Sequence, residues 1–382
     1  MRGQIKIDKL SSFCKVIAGQ SPKGSAYNEN GIGVEFHQGK KAFGLHTIEP
    51  SNVWTTEITK LAQPGDILMS VRAPVGPTNF TDREVCIGRG LAAIRCKPDV
   101  LPKYILYVLK SIESKIVGKD GAVFNSISKD MIEDLPVPAV DKIEQQRIVD
   151  VLDREFAKID ALKANAEKSL QAAKDLFLQM LAHTFANPSW SWKRIGDVFD
   201  TGAGGTPLKT YQEYYENGDI PWLRSGEVCK KYITETEMFI TQLGMDNSSA
   251  KMFPENTVVV AMYGATAGQV GILHLETTTN QAVCGIFPKE DYVPEFIYYS
   301  LLNSKKGLVA QATGNAQPNI SQIKIKNTPV PVISRKEQEE VVSNLDDLNE
   351  KCNTLQENYQ KTLSLCDDLK QALLRKAFNG EL

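Results

Sequence analysis

Two stretches of this chain gather cationic, amide and aromatic side chains without any apolar period. The first runs from Gly19, Gln20, Ser21 and Pro22 through Lys23, Tyr27 and Asn28 to His37, Gln38, Gly39, Lys40 and Lys41. The second opens at Gly204, Gly205, Thr206 and Pro207, carries Lys209, Tyr211, Tyr214 and Tyr215, and closes on Trp222, Leu223, Arg224, Ser225, Gly226 and Glu227. Turn formers mixed with hydrogen-bonding groups make loops, and such loops could read base edges and phosphates. On composition alone a solvated surface connection is the simpler account of the first run, and tyrosines bordering a strand are more often packing residues. Arg72 and Arg89 flank the apolar runs 67–71 and 91–96, where a rigid strand could aim a guanidinium at guanine or phosphate. An ordinary surface ion pair serves either arginine equally well.

Several kinds of catalysis lack their signatures. There is no phosphate-cradling loop, and Gly202, Gly204 and Gly205 do not have dinucleotide-fold spacing. The four histidines (His37, His46, His183 and His274) include no pair at metal-ligand spacing. The segment Asn187-Pro188-Ser189-Trp190 is not the Asn-Pro-Pro-aromatic motif an amino-methyltransferase needs, and is read instead as the end of a helix and the start of a new domain. No acidic cluster is followed by the Glu-x-Lys of a metal-dependent nuclease. The expectation is recognition without catalysis, with no metal and no cofactor; a site assembled from scattered residues is the alternative.

Composition narrows the setting. With 382 residues the chain holds two ordinary domains and more. No apolar run reaches a membrane-spanning length and no signal-peptide core opens the chain, so a cytoplasmic location is expected. Seven cysteines without a C-x-x-C are read as buried free thiols. The net charge is -2, with residues 1–140 at +4 and 187–332 at -2. A free-standing DNA binder is usually more basic; either nucleic acid is not the ligand, or partner subunits supply much of the phosphate contact.

The loops must be carried by something, and the chain repeats itself. At a constant offset of 193, residues 136–185 align without a gap on 329–378, and about a third of the positions are identical. Both copies open with Pro-Val-Pro, which cannot be helical, and share Glu-Gln at 144–145 and 337–338. A helix follows. In the second copy Val341, Leu345, Leu348, Cys352, Leu355, Tyr359, Thr362, Cys366, Leu369 and Leu373 step by four and three, the seam of a coiled coil. The first copy sets Ile148, Leu152, Glu155, Ile159, Leu162, Ala166, Ser169, Ala173, Leu176 and Met180 in the same register. Chain reach favours antiparallel pairing: the seam spans about 48 Å, and a domain of 146 residues with a radius of gyration of about 15 Å would have difficulty joining the far end of one helix to the near end of a parallel mate. The expected boundaries are a first head at 1–140, a helix at 141–186, a second head at 187–332 and a second helix at 333–382. That is an α+β dumb-bell with a pseudo-two-fold internal duplication. In each head a helix begins at a proline, Pro102 or Pro294, and Gly121 with Ile127 and Ser128 matches Gly314 with Ile320 and Ser321.

Over its full length the chain resembles the specificity (S) subunit of type I restriction-modification systems. The carriers are Gln20-Ser21-Pro22 to Gln38-Gly39-Lys40, the Gly204-to-Pro207 loop running to Pro221-Trp222-Leu223-Arg224-Ser225-Gly226, Asn280-Gln281, both Pro-Val-Pro plus Glu-Gln openings, and the ending with Leu369, Leu373, Leu374, Ala377, Phe378, Gly380 and Leu382. The resemblance implies that each head is a target recognition domain for half of a bipartite double-stranded DNA site. It implies that the helices act as a spacer and dock two methyltransferase (modification) subunits, which hold S-adenosylmethionine, and that restriction subunits, where present, bind ATP and cut. On this reading the DNA contacts are expected at Lys23, Tyr27, Asn28, His37, Lys40, Lys41 and Arg72 in the first head, and at Lys209, Tyr211, Tyr214, Arg224 and Glu227 in the second. The small residues Ala166, Ser169 and Ala173 fit either close approach of the two helices or burial under another subunit's helix, and the second is the expectation. The competing expectation is a coiled-coil adaptor whose heads bind proteins.

Overall fold

The computed structural model describes residues 6–116, 126–310 and 319–382; Gly121 and Gly314 lie outside these. The chain divides into two compact units, one of Met1–Glu167 with Gln360–Leu382 and one of Lys168–Tyr359. Each unit holds one head and part of both long helices, Lys142–Thr184 and Arg335–Phe378.

The two heads share one layered plan of a helix, a sheet and a second sheet. In the first, an antiparallel sheet runs in the order Cys14–Ala18, Leu91–Cys96, Ile67–Ser70, Thr78–Phe80. The inner strand Ile67–Ser70 is buried at every position, and apolar from Ile67 to Met69, because both faces are covered. Ile67 and Met69 point into the core shared with the helix Pro102–Ile116, and Leu68 into the core shared with the second sheet. The second head repeats this with Thr201–Ala203, Val283–Ile286, Val258–Ala261 and Val270–Leu273, where Val258 and Val260 face the helix Pro294–Ala310 and Val259 and Ala261 the other sheet. In both second sheets one pair of strands is parallel: Val34–His37 beside Val85–Ile87, and Ile220–Leu223 beside Thr277–Thr279. Ser128 and Ser321 each cap a short helix through their hydroxyls, so the repeat continues into this part of the heads.

The repeated Pro-Val-Pro is a strand that returns to where its head began. Pro136–Pro138 pairs antiparallel with Ile7–Lys9, and Pro329–Val332 with Ser191–Arg194. Each is a two-stranded ribbon whose prolines lack the N–H that a central strand would need. The repeated Gln then fastens the long helix to the head. Gln145 is 3% exposed; its Oε1 accepts from the Leu101 N–H at 2.9 Å, while its Nε2 donates to the Val140 carbonyl. Gln338, fully buried, accepts from the Val293 N–H at 2.9 Å and donates to the Asp291 and Ile333 carbonyls. Leu101 and Val293 immediately precede the prolines that start the two head helices, so each amide serves a backbone donor that the helix itself leaves unpaired. Two turns further on, Asp153 accepts from the Tyr107 hydroxyl and pairs with Lys103, and its repeat partner Asp346 accepts from the Tyr299 hydroxyl and pairs with Lys231.

Within each unit the long helices run antiparallel, as chain reach requires. In the first unit Arg147 meets Leu382, Asp160 pairs with Lys370 and Lys163 with Asp367. In the second, Ala173 and Leu176 line a groove with Leu355 and Tyr359, Leu181 and Phe185 share a core with Leu345 and Val341, and Trp190 donates to Glu337.

The seam is narrower than the spacing suggests. Ile148, Leu152, Ile159, Ala166 and Ala173 are buried on the first helix, and Leu345, Cys352 and Cys366 on the second. Val341, Leu348 and Leu373 are half-buried. Leu162, Leu176, Leu355 and Leu369 are 50, 42, 41 and 48% exposed, which corrects their expected place in a covered seam. Two helices alone can cover one row at their closest approach; the next row stays open unless a further helix lies over it. The expectation for the small residues is corrected as well. Ala166 and Ala173 are 4 and 5% exposed within this chain, so close approach of its own two helices accounts for them. Of the cysteines, Cys229 is exposed and Cys96 half-exposed, while the other five are buried free thiols.

Gln338→Ala would strand one buried N–H and two carbonyls, a loss of about 3 kcal/mol. Urea unfolding of the full chain should register that loss, whereas Gln146→Ala on the exposed side of the first helix should change stability by less than about 0.5 kcal/mol.

Candidate nucleic-acid interface

In the second head the loop from Gly204 folds under the parallel strands. A Cβ at Gly204 would stand 2.1 Å from the Thr279 carbonyl oxygen, and one at Gly205 2.3 Å from the Ala250 nitrogen, so only glycine allows the backbone this close. Trp222 donates from its indole to the Gly205 carbonyl at 3.0 Å, and Tyr215 packs edge-on against Trp222 while donating to the Pro207 carbonyl at 2.5 Å. Above this base lies a cleft of about 530 Å³ lined by Thr206, Lys209, Tyr215, Arg224, Asn280 and Gln281, among others.

The first head has the same base in different residues. Gly19 would meet the Gly88 carbonyl oxygen at 2.2 Å if it carried a Cβ. Tyr27 stacks on Phe36 with ring centroids 5.0 Å apart and donates to the Pro22 carbonyl, as Tyr215 does with Trp222 and Pro207. Phe36 and Trp222 also hold the same register in their parallel strand pairs. The Ser21-Pro22 and Thr206-Pro207 motifs are therefore equivalent parts of the scaffold.

Against this base the anticipated contact residues divide. Lys23, Lys40, Lys41, Arg72, Lys209 and Tyr211 are exposed. Lys40 and Lys41 lie on a short 3-10 turn, and Lys209 reaches the cleft together with Arg224. Arg72 follows its strand and bridges by its backbone to Ser126, as Tyr263 bridges to Asn319 in the other head. Tyr211 and Tyr214 lie with rings 5.1 Å apart. Others are structural. Asn28 closes its own loop by accepting from the Asn30 and Ile32 N–H groups and donating to the Ile32 carbonyl. Arg224 is tied to Glu227 and Glu237, and Glu227 also accepts from the Arg224 and Glu237 backbone N–H groups, so the anticipated contacts at Arg224 and Glu227 are each other's partners. Asn280 and Gln281 form a turn at the cleft edge, ahead of the strand Val283–Ile286.

His37 is a correction. It is 3% exposed, with Nε2 at 2.8 Å from Glu35 Oε1, and cannot meet a base edge without unfolding its strand. Glu35, itself buried, takes two hydrogen bonds from Arg83 and one from the Ser51 N–H, and Arg83 also donates to the Ile48 carbonyl. This cluster pins both ends of the segment that presents Lys40 and Lys41. Burial by itself would raise the Glu35 carboxyl, but Arg83, the Ser51 N–H and His37 outweigh it and hold the pKa at about 2. Burial pushes His37 down from its ordinary value, against the pull of Glu35.

Among the described residues no group of three His, Cys, Asp or Glu side chains could hold a metal ion, and no helix is long and apolar enough to cross a membrane.

The family model for the type I restriction modification DNA specificity domain matches residues 4–172 and again 187–365. The chain is 25% identical to the specificity subunit of the type I restriction enzyme EcoR124I/EcoR124II from Escherichia coli, over 69% of this chain and 67% of that one. It is 36% identical to a putative MjaX specificity subunit from Methanocaldococcus jannaschii over 44% of this chain and 40% of the relative, and 23% identical to the MjaIX specificity subunit of the same organism over 83 and 78%. In fold it is similar to the HsdS subunit from Thermoanaerobacter tengcongensis, with a TM-score of 0.61, 17% identity and coverage of 100 and 98%. A chain from a structure of type I R-M complex assembly gives a TM-score of 0.80 at 16% identity, with coverage of 100 and 99%.

A carboxyl held below its unfolded pKa stabilises the fold above the unfolded value and loses that contribution as pH falls through the folded one. For Glu35 this window runs from about 4.5 down to about 2, and His37, also lowered, adds in the same direction at higher pH. Arg83→Ala lets the Glu35 pKa rise, so acid unfolding followed by circular dichroism should begin at a higher pH in the variant than in the unsubstituted chain.

Proposed function

This chain belongs to the type I restriction modification DNA specificity domain family, with one copy of the domain in each half, and from that premise we propose how it reads DNA. It is the specificity subunit of a type I restriction-modification system, the part that recognises rather than cuts or methylates. Each head acts as a target recognition domain for one half of a bipartite site in double-stranded DNA. The observation that carries this reading is the duplication itself: one scaffold, Ser21-Pro22 with Tyr27 and Phe36 against Thr206-Pro207 with Tyr215 and Trp222, presents different exposed side chains in its two copies. Lys23, Lys40, Lys41 and Arg72 serve the first half-site, and Lys209, Tyr211 and Tyr214 the second. Lysines supply phosphate contacts that set register, and the tyrosines supply apolar and hydrogen-bonding surface. The family assignment displaces the adaptor reading.

The long helices, 43 and 44 residues without interruption, serve as the spacer. Their open apolar row serves as the docking surface for modification subunits. In the first unit it includes Leu162 and Leu369, and in the second Leu355 and Leu176. Leu162 and Leu355 are repeat partners, as are Leu176 and Leu369, so each unit offers the same pair and the chain takes two modification subunits. Restriction subunits join the same complex, and the complex works in the cytoplasm, where its DNA is. With a net charge of -2, the chain binds DNA weakly until the modification subunits add phosphate contacts.

Selection from randomised duplexes, with the modification subunits present, should return a consensus in two parts. Exchanging residues 187–332 for those of another family member should alter one part only. Removing one heptad from both helices should keep both parts and change the number of unread base pairs; a single uninterrupted consensus would overturn the reading. Leu355→Glu with Leu369→Glu should lower the recovery of modification subunits at least tenfold in size-exclusion chromatography while leaving the unfolding midpoint of the chain unchanged.

A further inference from the structure

Beside the parallel strands both heads make the same turn. In the first, the Gly88 N–H donates to the His37 carbonyl, the Leu91 N–H closes onto the Gly88 carbonyl at 3.0 Å, and the Gly90 carbonyl accepts from Val71. In the second, the Asn280 N–H donates to the Leu223 carbonyl, the Val283 N–H closes onto the Asn280 carbonyl at 3.2 Å, and the Ala282 carbonyl accepts from Met262. His37 and Leu223 hold the same place in their strand pairs. The correspondence therefore runs residue by residue, and it puts Arg89 and Gln281 at the same second position of the turn.

Both side chains are exposed, and in both heads the hydroxyl of the equivalent Ser21 or Thr206 is their neighbour. Ser21 Oγ accepts from the Arg89 backbone N–H at 3.2 Å, and Thr206 Oγ1 donates to Gln281 Oε1. Among the described residues the Arg89 guanidinium has no hydrogen-bond or ion-pair partner. The Gln281 amide keeps its Nε2 donors and one Oε1 lone pair, at the edge of the cleft described above. The residue after the first strand of the parallel pair is a weaker candidate, because Arg224 there is neutralised by Glu227 and Glu237.

We propose that Arg89 and Gln281 occupy one reading position, each meeting a base edge of its own half-site, Arg89 a guanine and Gln281 an adenine. A guanidinium matches the two acceptors O6 and N7 of guanine, and a carboxamide matches the N6 donor and N7 acceptor of adenine. Thr206 holds the Gln281 oxygen in one orientation, which leaves a donor and an acceptor side by side for adenine. A swap of these two residue types between heads exchanges the base that is read and nothing else. The inference rests on the DNA-reading role proposed above and adds to it the base and the side chain.

The test uses the full chain with its modification subunits and a randomised duplex library, comparing the unsubstituted protein with Arg89→Gln and Gln281→Arg. Arg89→Gln should turn a guanine preference into an adenine preference at one position of one half-site, with discrimination on the order of 10- to 100-fold. Gln281→Arg should do the reverse in the other half-site, and Thr206→Val should weaken the adenine preference there without moving it. A consensus unchanged by the swaps, or an equal loss of binding to every sequence, would overturn the proposal. So would failure of either swap to fold, since each side chain already sits in the equivalent turn of the other head. If the unsubstituted protein gives no two-part consensus, the role of the chain is at fault; if it does and the swaps leave it unchanged, only this assignment is.

Discussion

A buried carboxamide holds this molecule's parts in register. Gln338, itself removed from water, accepts one backbone hydrogen bond and donates two, and Gln145 repeats the arrangement with one donated bond. An unmade bond at such depth costs more than a made one contributes, so the amide works chiefly by forbidding alternatives. It permits one angle between each head helix and the long helix that leaves the head. Asp153 and Asp346, with a tyrosine hydroxyl and a lysine each, repeat the constraint two turns along. A reader that must place side chains on base edges needs its support fixed in this way.

Duplication then separates what is fixed from what is free. The pairs Tyr27 with Phe36 and Tyr215 with Trp222 differ in ring type and in stacking geometry, yet each lays a tyrosine hydroxyl on a proline carbonyl. Those contacts are internal, and they face the same demands in both heads. The exposed positions carry no such demand, and there the copies part: lysines on a 3-10 turn in one head, a tyrosine pair in the other. On the proposed reading, recognition belongs to the second class and depends on the first.

The sequence made some of this plain and hid the rest, for physical reasons. Helix boundaries were legible because periodicity is local, and Pro102–Ile116 and both long helices follow it. The strand Leu91–Cys96 was legible because its first four residues, covered on both faces, are all apolar. The seam was legible as a stripe but not in its width: spacing shows which residues share a face, while the exposure of Leu162 and Leu369 depends on how many helices meet there. His37 was misread because its partner Glu35 is fixed by Arg83, which is distant in sequence, and only the fold brings that cation to the carboxylate. Arg89 and Gln281 escaped pairing because the loops differ in length, which breaks the constant offset of the helices before it reaches the turns.

The two-stranded ribbons have a consequence of another kind. Because Ile7–Lys9 pairs with Pro136–Pro138, and Ser191–Arg194 with Pro329–Val332, a head leaves its ribbon and comes back to it, whatever length of chain it encloses. Backbone pairing thus fixes the two ends of that closed loop independently of the length between them. At the level of the gene, each head is a cassette with matched ends, and crossing-over at the Pro-Val-Pro codons could give a lineage a new target while the rest of its assembly stays in use.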